Sequence, residues 1–242
     1  MIFITYLQKN DLMEIEKYKC ADCDIKSKAV SILKSVELDA LEKGCSQTIF
    51  HKGELLIKEG APAGYIVYIR DGFVKICKKG IGNKDFILNI SKKGAYLNIQ
   101  NLNSRDKNYL FSAFAITETK VCFIDIESFG NLLKRNGTFA LEVITYIFND
   151  EMNYFDRLLN IIQQQLPGRL ANALLYFKNQ VYCENPFMIN LTRTELASLI
   201  GTSRESVTRL IKEFHDTGII RADKNKITVL DEKRLEDIKY KG

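Results

Sequence analysis

The chain has 242 residues, 46% of them hydrophobic, and its 35 Lys and Arg against 30 Asp and Glu give a formal charge of +5. That balance fits one large or two modest globular domains and excludes a disordered or fibrous chain. No apolar run approaches the ~18 residues of a membrane span, and MIFITYLQKND lacks a basic n-region and a cleavage site, so a cytoplasmic protein is expected.

Residues 1–45 read as an N-terminal helical segment, with helical spacing in DLMEIEKY and VELDALEKG around the C-x2-C of Cys20 and Cys23. From 46 to 136 the main pattern is short strands: TIFHKGELLIKEG, GYIVYIRDGFVKICKKG, DFILNISKKGAY, FSAFAIT and KVCFIDI alternate or are wholly apolar between Gly, Lys and Asp. Strands this short suggest a sandwich or barrel, and the absence of alternating helices argues against a doubly wound parallel sheet.

Helical periodicity runs from about Ile126 to Phe177. Leu141, Ile144, Phe148, Glu151, Phe155, Leu158 and Ile162 recur at steps of three and four, the seam of a coiled coil, so 137–166 is expected to be a dimerisation helix. Its anchors are Ile144, Phe148, Phe155, Leu158 and Ile162; a helix packed on its own domain is the alternative. Pro167 and Gly168 mark a break before GRLANALLYF. The C-terminal piece, 167–242, holds 13 Lys and Arg against 10 Asp and Glu, and so carries more than half of the net charge.

Within that piece, LTRTELASLIGTSRESVTRLIKEFHDTGII reads as two short helices around Gly201. Thr192 with Glu195, and Thr202 with Glu205, each match the S/T-x-x-E capping box. Val207, Leu210, Ile211 and Phe214 form one apolar stripe, while Arg204, Glu205, Thr208 and Arg209 project from the other side. Arginine makes bidentate bonds to guanine O6 and N7, and glutamate accepts from cytosine N4, so this face suits a major groove. IIRADKNKITVLD follows as a two-stranded wing with Lys224 and Lys226 near its tip, completing a winged helix-turn-helix. The alternative leaves these groups as a helix cap and solvated surface.

Taken together, KGELLIKEGAPAGYIVYIRDGFVKI, the long helix, PGRLANALL and LTRTELASLIGTSRESVTRLIKEF resemble the CRP/FNR family of bacterial transcriptional regulators, from about Val36 to Asp231. The resemblance implies an α+β chain: an N-terminal jelly-roll (double-stranded β-helix) sensor domain, a long dimerisation helix and a C-terminal winged helix-turn-helix. The family's base-reading pattern R-E-x-x-x-R falls on Arg204, Glu205 and Arg209, and Thr208 stands where FNR-like members often place a base-contacting Ser. Arg193, Ser203, Ser206 and Lys226 match phosphate-holding positions. The implied partners are double-stranded DNA with TGTGA-like palindromic half-sites, a second copy of the chain, RNA polymerase and a small effector.

Cyclic-AMP-binding members carry Gly-Glu near the start of a cassette and Arg-Ser or Arg-Thr at its end. The matching stretch here is KKGAYLNIQNLNSRDKNYLFSAFAI, where Ala95 follows Gly94 and Phe111 precedes Ser112, so the phosphate clamp is missing and Arg105 lies elsewhere. Tyr96, Leu97, Phe111, Ser112 and Phe114 are instead expected to form an apolar effector pocket or to fill it. An FNR-like iron–sulfur cluster would use Cys20, Cys23 and Cys122 with Cys45 or Cys77 as the fourth thiolate; ordinary buried thiols are the alternative. His51 and His215 are poorly placed to ligate haem. No nucleophile elbow, P-loop, dinucleotide fingerprint or H-E-x-x-H is present, so no enzyme is expected; a ligand-binding module that does not touch DNA is the remaining class.

Overall fold

The computed structural model describes residues 23, 25–80, 85–103 and 107–241. The helix expected in DLMEIEKY, Cys20 and Arg105 lie outside them. Two short helices, α1 (Lys28–Ser31) and α2 (Ser35–Lys43), lead into strands β1 (Cys45–Phe50), β2 (Leu55–Ile57), β3 (Tyr65–Asp71), β4 (Phe73–Lys79), β5 (Asp85–Lys92), β6 (Tyr96–Leu97), β7 (Ser112–Ala115) and β8 (Thr119–Asp125). They pair antiparallel in two four-stranded sheets, ordered β1-β8-β3-β6 and β2-β7-β4-β5, within the sandwich-or-barrel class that the strand pattern suggested and as the jelly roll that the family resemblance implied.

Burial explains why β3 reads as a continuous apolar run. Val67 and Ile69 point between the sheets with Ile57, Val74, Ile76, Ala113 and Val121. Ile66 and Tyr68 point the other way, into a second core with Ile124, Phe129, Phe139 and Val143. A strand covered on both faces loses its polar alternation. Where the chain crosses from β3 in one sheet to β4 in the other, Gly72 has φ +85, and a Cβ there would stand 2.3 Å from the Glu118 carbonyl oxygen, so only glycine fits.

Helices α3 (Ile126–Arg135) and α4 (Gly137–Gln163) follow. Asp125 caps α3 by accepting from the Ser128 amide, and Asn136 caps α4 by accepting from that of Phe139. The chain becomes extended at Gln164 and Gln165, and Pro167 sits in the first turn of α5 (Leu166–Tyr176), where its missing N–H costs nothing. Thus the break expected at Pro167 lies just ahead of it. A π-helical turn, Phe177–Val181, leads to β9 (Phe187–Met188), α6 (Arg193–Ile200), α7 (Arg204–Asp216), β10 (Ile220–Asp223), β11 (Lys226–Val229) and α8 (Glu232–Lys241). The expected wing is β10 and β11; β9 adds a third strand, ordered β10-β11-β9, which the sequence pattern did not reveal.

Candidate nucleic-acid interface and its contact with the jelly-roll domain

The two reading elements are set by their ends. Thr192 accepts from the Glu195 amide while Glu195 accepts from the Thr192 amide at 2.7 Å, the capping box expected for α6. The second expected box is not the one formed. Gly201 adopts the left-handed conformation that closes α6, and the Thr202 amide donates to the Ala197 carbonyl in that closure. Thr202 is thereby committed to the preceding helix, and Ser203 caps α7 by accepting from the Ser206 amide at 3.2 Å. Glu205 stays in the first turn, its carboxyl held below the usual range by its own backbone amide and by the Ser203 hydroxyl.

Val207, Leu210, Ile211 and Phe214 bury one side of α7 against α5, α6 and the wing. Arg204, Glu205, Thr208 and Arg209 are exposed together on the other side, as expected. The phosphate candidates divide. Lys226 is exposed at the start of β11, and Ser206 is half-buried with its hydroxyl 3.2 Å from that of Ser203. Arg193 donates to the Lys224 carbonyl at 2.6 Å and is partly buried, which lowers its pKa, so it ties α6 to the wing tip. His215 accepts from the Ala222 amide through Nδ1 at 3.1 Å, a second tie between α7 and the wing.

The residues expected to line an effector pocket are not brought together. Tyr96 is buried among Tyr68, Phe129 and Tyr146, with its hydroxyl 2.6 Å from the Ser27 hydroxyl. Leu97 and Phe111 belong to the core between the sheets, and Phe114 packs toward the C-terminal domain. Ser112 accepts from the Glu59 amide at 3.0 Å. Strand alternation sends neighbours to opposite faces, so these side chains divide among separate cores. Left-handed backbone occurs on either side of β6, at Gly94 and at Asn98, and the following residue, Ala95 or Ile99, carries no charge. A cavity of about 610 Å³ lies elsewhere, between the end of β5, α4, α5 and α6.

Two family models match this architecture: a cyclic nucleotide-binding domain over residues 47–136 and a Crp-like helix-turn-helix domain over 168–238. The chain belongs to the CRP/FNR family. It is 21% identical to the transcriptional activator protein anr of Pseudomonas aeruginosa, over 88% of each chain. It is 25% identical to the CRP-like cAMP-activated global transcriptional regulator of Mycobacterium tuberculosis, over 81% of this chain and 89% of the relative. FixK2 from Bradyrhizobium japonicum superposes with a TM-score of 0.72 at 18% identity, covering 80% of this chain and 96% of that one, a likeness of fold. The chain is a CRP/FNR-type transcriptional regulator with a DNA-binding helix-turn-helix.

In this CRP/FNR regulator the outer face of sheet β2-β7-β4-β5 is covered by the DNA-binding domain. Cys77, Ile87 and Ile90 join the core of that domain, and Phe73 meets Tyr182 with ring centroids 5.2 Å apart. The Lys75 ammonium pairs with Glu195 on α6, and the Ser198 hydroxyl accepts from the Ile87 amide at 3.0 Å. Arg157, from α4, donates to the carbonyls of Leu88, Ile87 (3.1 Å) and Leu199 (2.8 Å), so one guanidinium joins three parts of the chain. Lys75, Ser198 and Arg157 had no sequence signal, because their partners lie 42 to 120 residues away.

The cysteines also divide. Cys77 is buried against the DNA-binding domain, and that burial pushes its thiol up to about 11. Cys122 of β8 pairs in register with Gln47, two residues from Cys45 on β1, which puts both thiols on the face bearing Tyr68 and Tyr96. Among the described residues no group of three or more candidate ligands is positioned to hold a metal. The α4 seam is open: Leu141, Ile144, Phe148, Phe155, Leu158 and Ile162 are all exposed, Phe148 at 61% and Ile162 at 69%. Met152 and Leu159, also exposed, widen the stripe beyond what heptad spacing picked out.

Proposed function

We propose that the protein is a homodimeric, sequence-specific regulator, without enzymatic activity, that reads a TGTGA-like palindrome through α7 under the control of an effector other than cyclic AMP. The observation that carries the reading is the polar face of α7. Arg204, Glu205, Thr208 and Arg209 are exposed on one face, packed against no other element, while the helix behind them is capped and buried. Lys226, Ser203 and Ser206 would hold phosphates and fix register, with Arg193 acting on the same strand through the wing. The exposed seam of α4 supports pairing of two copies, which sets two reading helices about one duplex turn apart. The working parts are then residues 46–136 for sensing, 137–166 for pairing and 167–242 for DNA binding, with RNA polymerase as the protein partner.

Mobility shifts with TGTGA-type palindromes, against scrambled duplexes at fixed salt, test this reading: retention of the palindrome alone is expected, and equal retention of both would overturn it. Cyclic AMP meets no arginine at the Phe111 position and no carboxylate at Ala95 or Ile99, so an enclosed phosphate would lack its charge partner. Calorimetry with cyclic AMP and cyclic GMP should show no heat up to about 1 mM.

A second reading, an FNR-like cluster sensor, is favoured by one observation. Cys45 shares a sheet face with Cys122, whereas Cys77 is on the far sheet. Cys45 is then the fourth thiolate beside Cys20, Cys23 and Cys122. Protein purified without oxygen should show thiolate-to-iron absorbance under this reading, and a colourless, iron-free preparation would sink it.

A further inference from the structure

The cavity between the domains is lined by an unusual charge set. Arg157 is drawn into it with only neutral carbonyl acceptors, and burial lowers its pKa. Arg169 repeats the pattern: its Nε donates to the Gln164 carbonyl at 2.9 Å and a terminal nitrogen lies 3.4 Å from the Gly201 carbonyl oxygen. Among the described residues, neither guanidinium has a carboxylate within ion-pair distance. Lys92 and Lys93 line the same cleft, so four cations face two carboxylates, Asp150 and Asp156. Burial raises the Asp150 pKa. On the same wall Gln164 Oε1 is buried without a hydrogen-bond partner.

A cation buried without a counter-ion is costly, and an oxyanion that accepts from it recovers part of that cost. The volume, about 610 Å³, is that of a small-molecule site. The lining residues of α4, among them Tyr146, Asp150, Asn153 and Arg157, lie roughly opposite the exposed apolar seam, so pairing of two chains through that seam leaves the cleft open.

We infer that this cleft binds a small hydroxyl-bearing oxyanion, of the sugar-phosphate or hydroxycarboxylate class, and that its occupancy sets the grip between the sensor and DNA-binding domains. The oxyanion accepts from Arg157 and Arg169, and the hydroxyl donates to Gln164. The second half of the inference rests on the regulator reading above, because the walls come from the β5 end, the pairing helix and the start of the DNA-binding domain.

The test uses the full chain, melted and titrated calorimetrically with glucose 6-phosphate, with citrate, and with sodium chloride at matched ionic strength. Saturable sub-millimolar binding of either organic anion, with a rise in Tm that chloride does not give, is expected; a response to one alone identifies the source of the oxyanion. No saturable binding of either overturns the site. Arg157→Gln removes the cation but also three domain ties, so Asn153→Asp is the decisive variant. It places a carboxylate one helical turn before Arg157 on an exposed position. This internal counter-ion should raise Tm without ligand and weaken anion binding by about tenfold. Unchanged anion affinity in Asn153→Asp would also overturn the assignment. DNA retention is measured separately: anion binding without DNA binding supports the cleft and removes the regulator reading, whereas DNA binding without anion binding removes the cleft alone.

Discussion

Arg209 and Lys226 are both exposed cations of the DNA-binding domain, yet they should fail differently. Arg209→Ala removes a candidate bidentate base contact and is expected to cost about 1–3 kcal/mol on the preferred palindrome, relaxing preference at one half-site position. Lys226→Ala removes a candidate phosphate contact, so every sequence should weaken alike and the salt slope should fall by about one unit. Mobility shifts over a salt series separate the two; unchanged preference in Arg209→Ala would move base reading to other residues. The polar face of α7 was legible because a capped helix of known phase fixes which side chains diverge from its apolar stripe. The cap itself was legible only to within one residue. Thr202 and Ser203 both have the right hydroxyl, and the choice fell to Ser203 because the left-handed turn at Gly201 draws the Thr202 amide back onto α6.

At the scale of an element, α4 shows how far periodicity reaches. Steps of three and four marked the stripe from Leu141 to Ile162, and the structure leaves all its apolar members exposed. Phe155→Asp places a charge in the middle of that stripe, where the proposed pairing would bury a carboxylate without a counter-ion. Sedimentation should show monomer, and affinity for a two-half-site palindrome should fall while a single half-site is held as before. A variant that stays dimeric would place the interface on another surface. The opposite face of α4 was not legible, because Tyr146, Asp150 and Arg157 acquire their roles only from β5, β6 and α6, elements whose approach depends on the folding of both domains. The division of Tyr96, Leu97, Phe111 and Phe114 among separate cores was hidden for a related reason: nearness in sequence says little across strands whose successive side chains face different layers.

For the whole molecule, the distinctive arrangement is the DNA-binding domain seated on sheet β2-β7-β4-β5, with Cys77 beneath it. That thiol therefore reports on separation of the two bodies. A maleimide should modify exposed Cys183 readily and Cys77 slowly, as burial and a raised pKa both protect it. Lys75→Glu sets two carboxylates against each other at the seat, and mass-resolved labelling of Cys77 should then accelerate relative to Cys183. An unchanged ratio would mean that the ion pair does not hold the domains. Acid should act on the same contact. Burial pushes the Glu195 carboxyl up, but Lys75 and the Thr192 amide and hydroxyl outweigh it and leave the pKa below its ordinary value. A group depressed on folding stabilises above its unfolded pKa and loses that contribution as pH falls through the folded one. Cys77 labelling should thus quicken as pH drops below about 4.3, once corrected for the thiolate fraction, and less so in Glu195→Gln.

The apolar stripe lies on α4 and the exposed polar face on α7, so the proposed self-association and the proposed sequence reading should be separable by mutation. A chain altered only at Arg209 would still recruit an intact copy and leave the pair with one competent helix, so in a cell producing both, the altered allele should be dominant. A chain altered at Phe155 captures no copy, and its allele should be recessive. Co-production of each with the unaltered chain, read by a promoter fusion, turns a strip of exposed side chains into a pattern of inheritance.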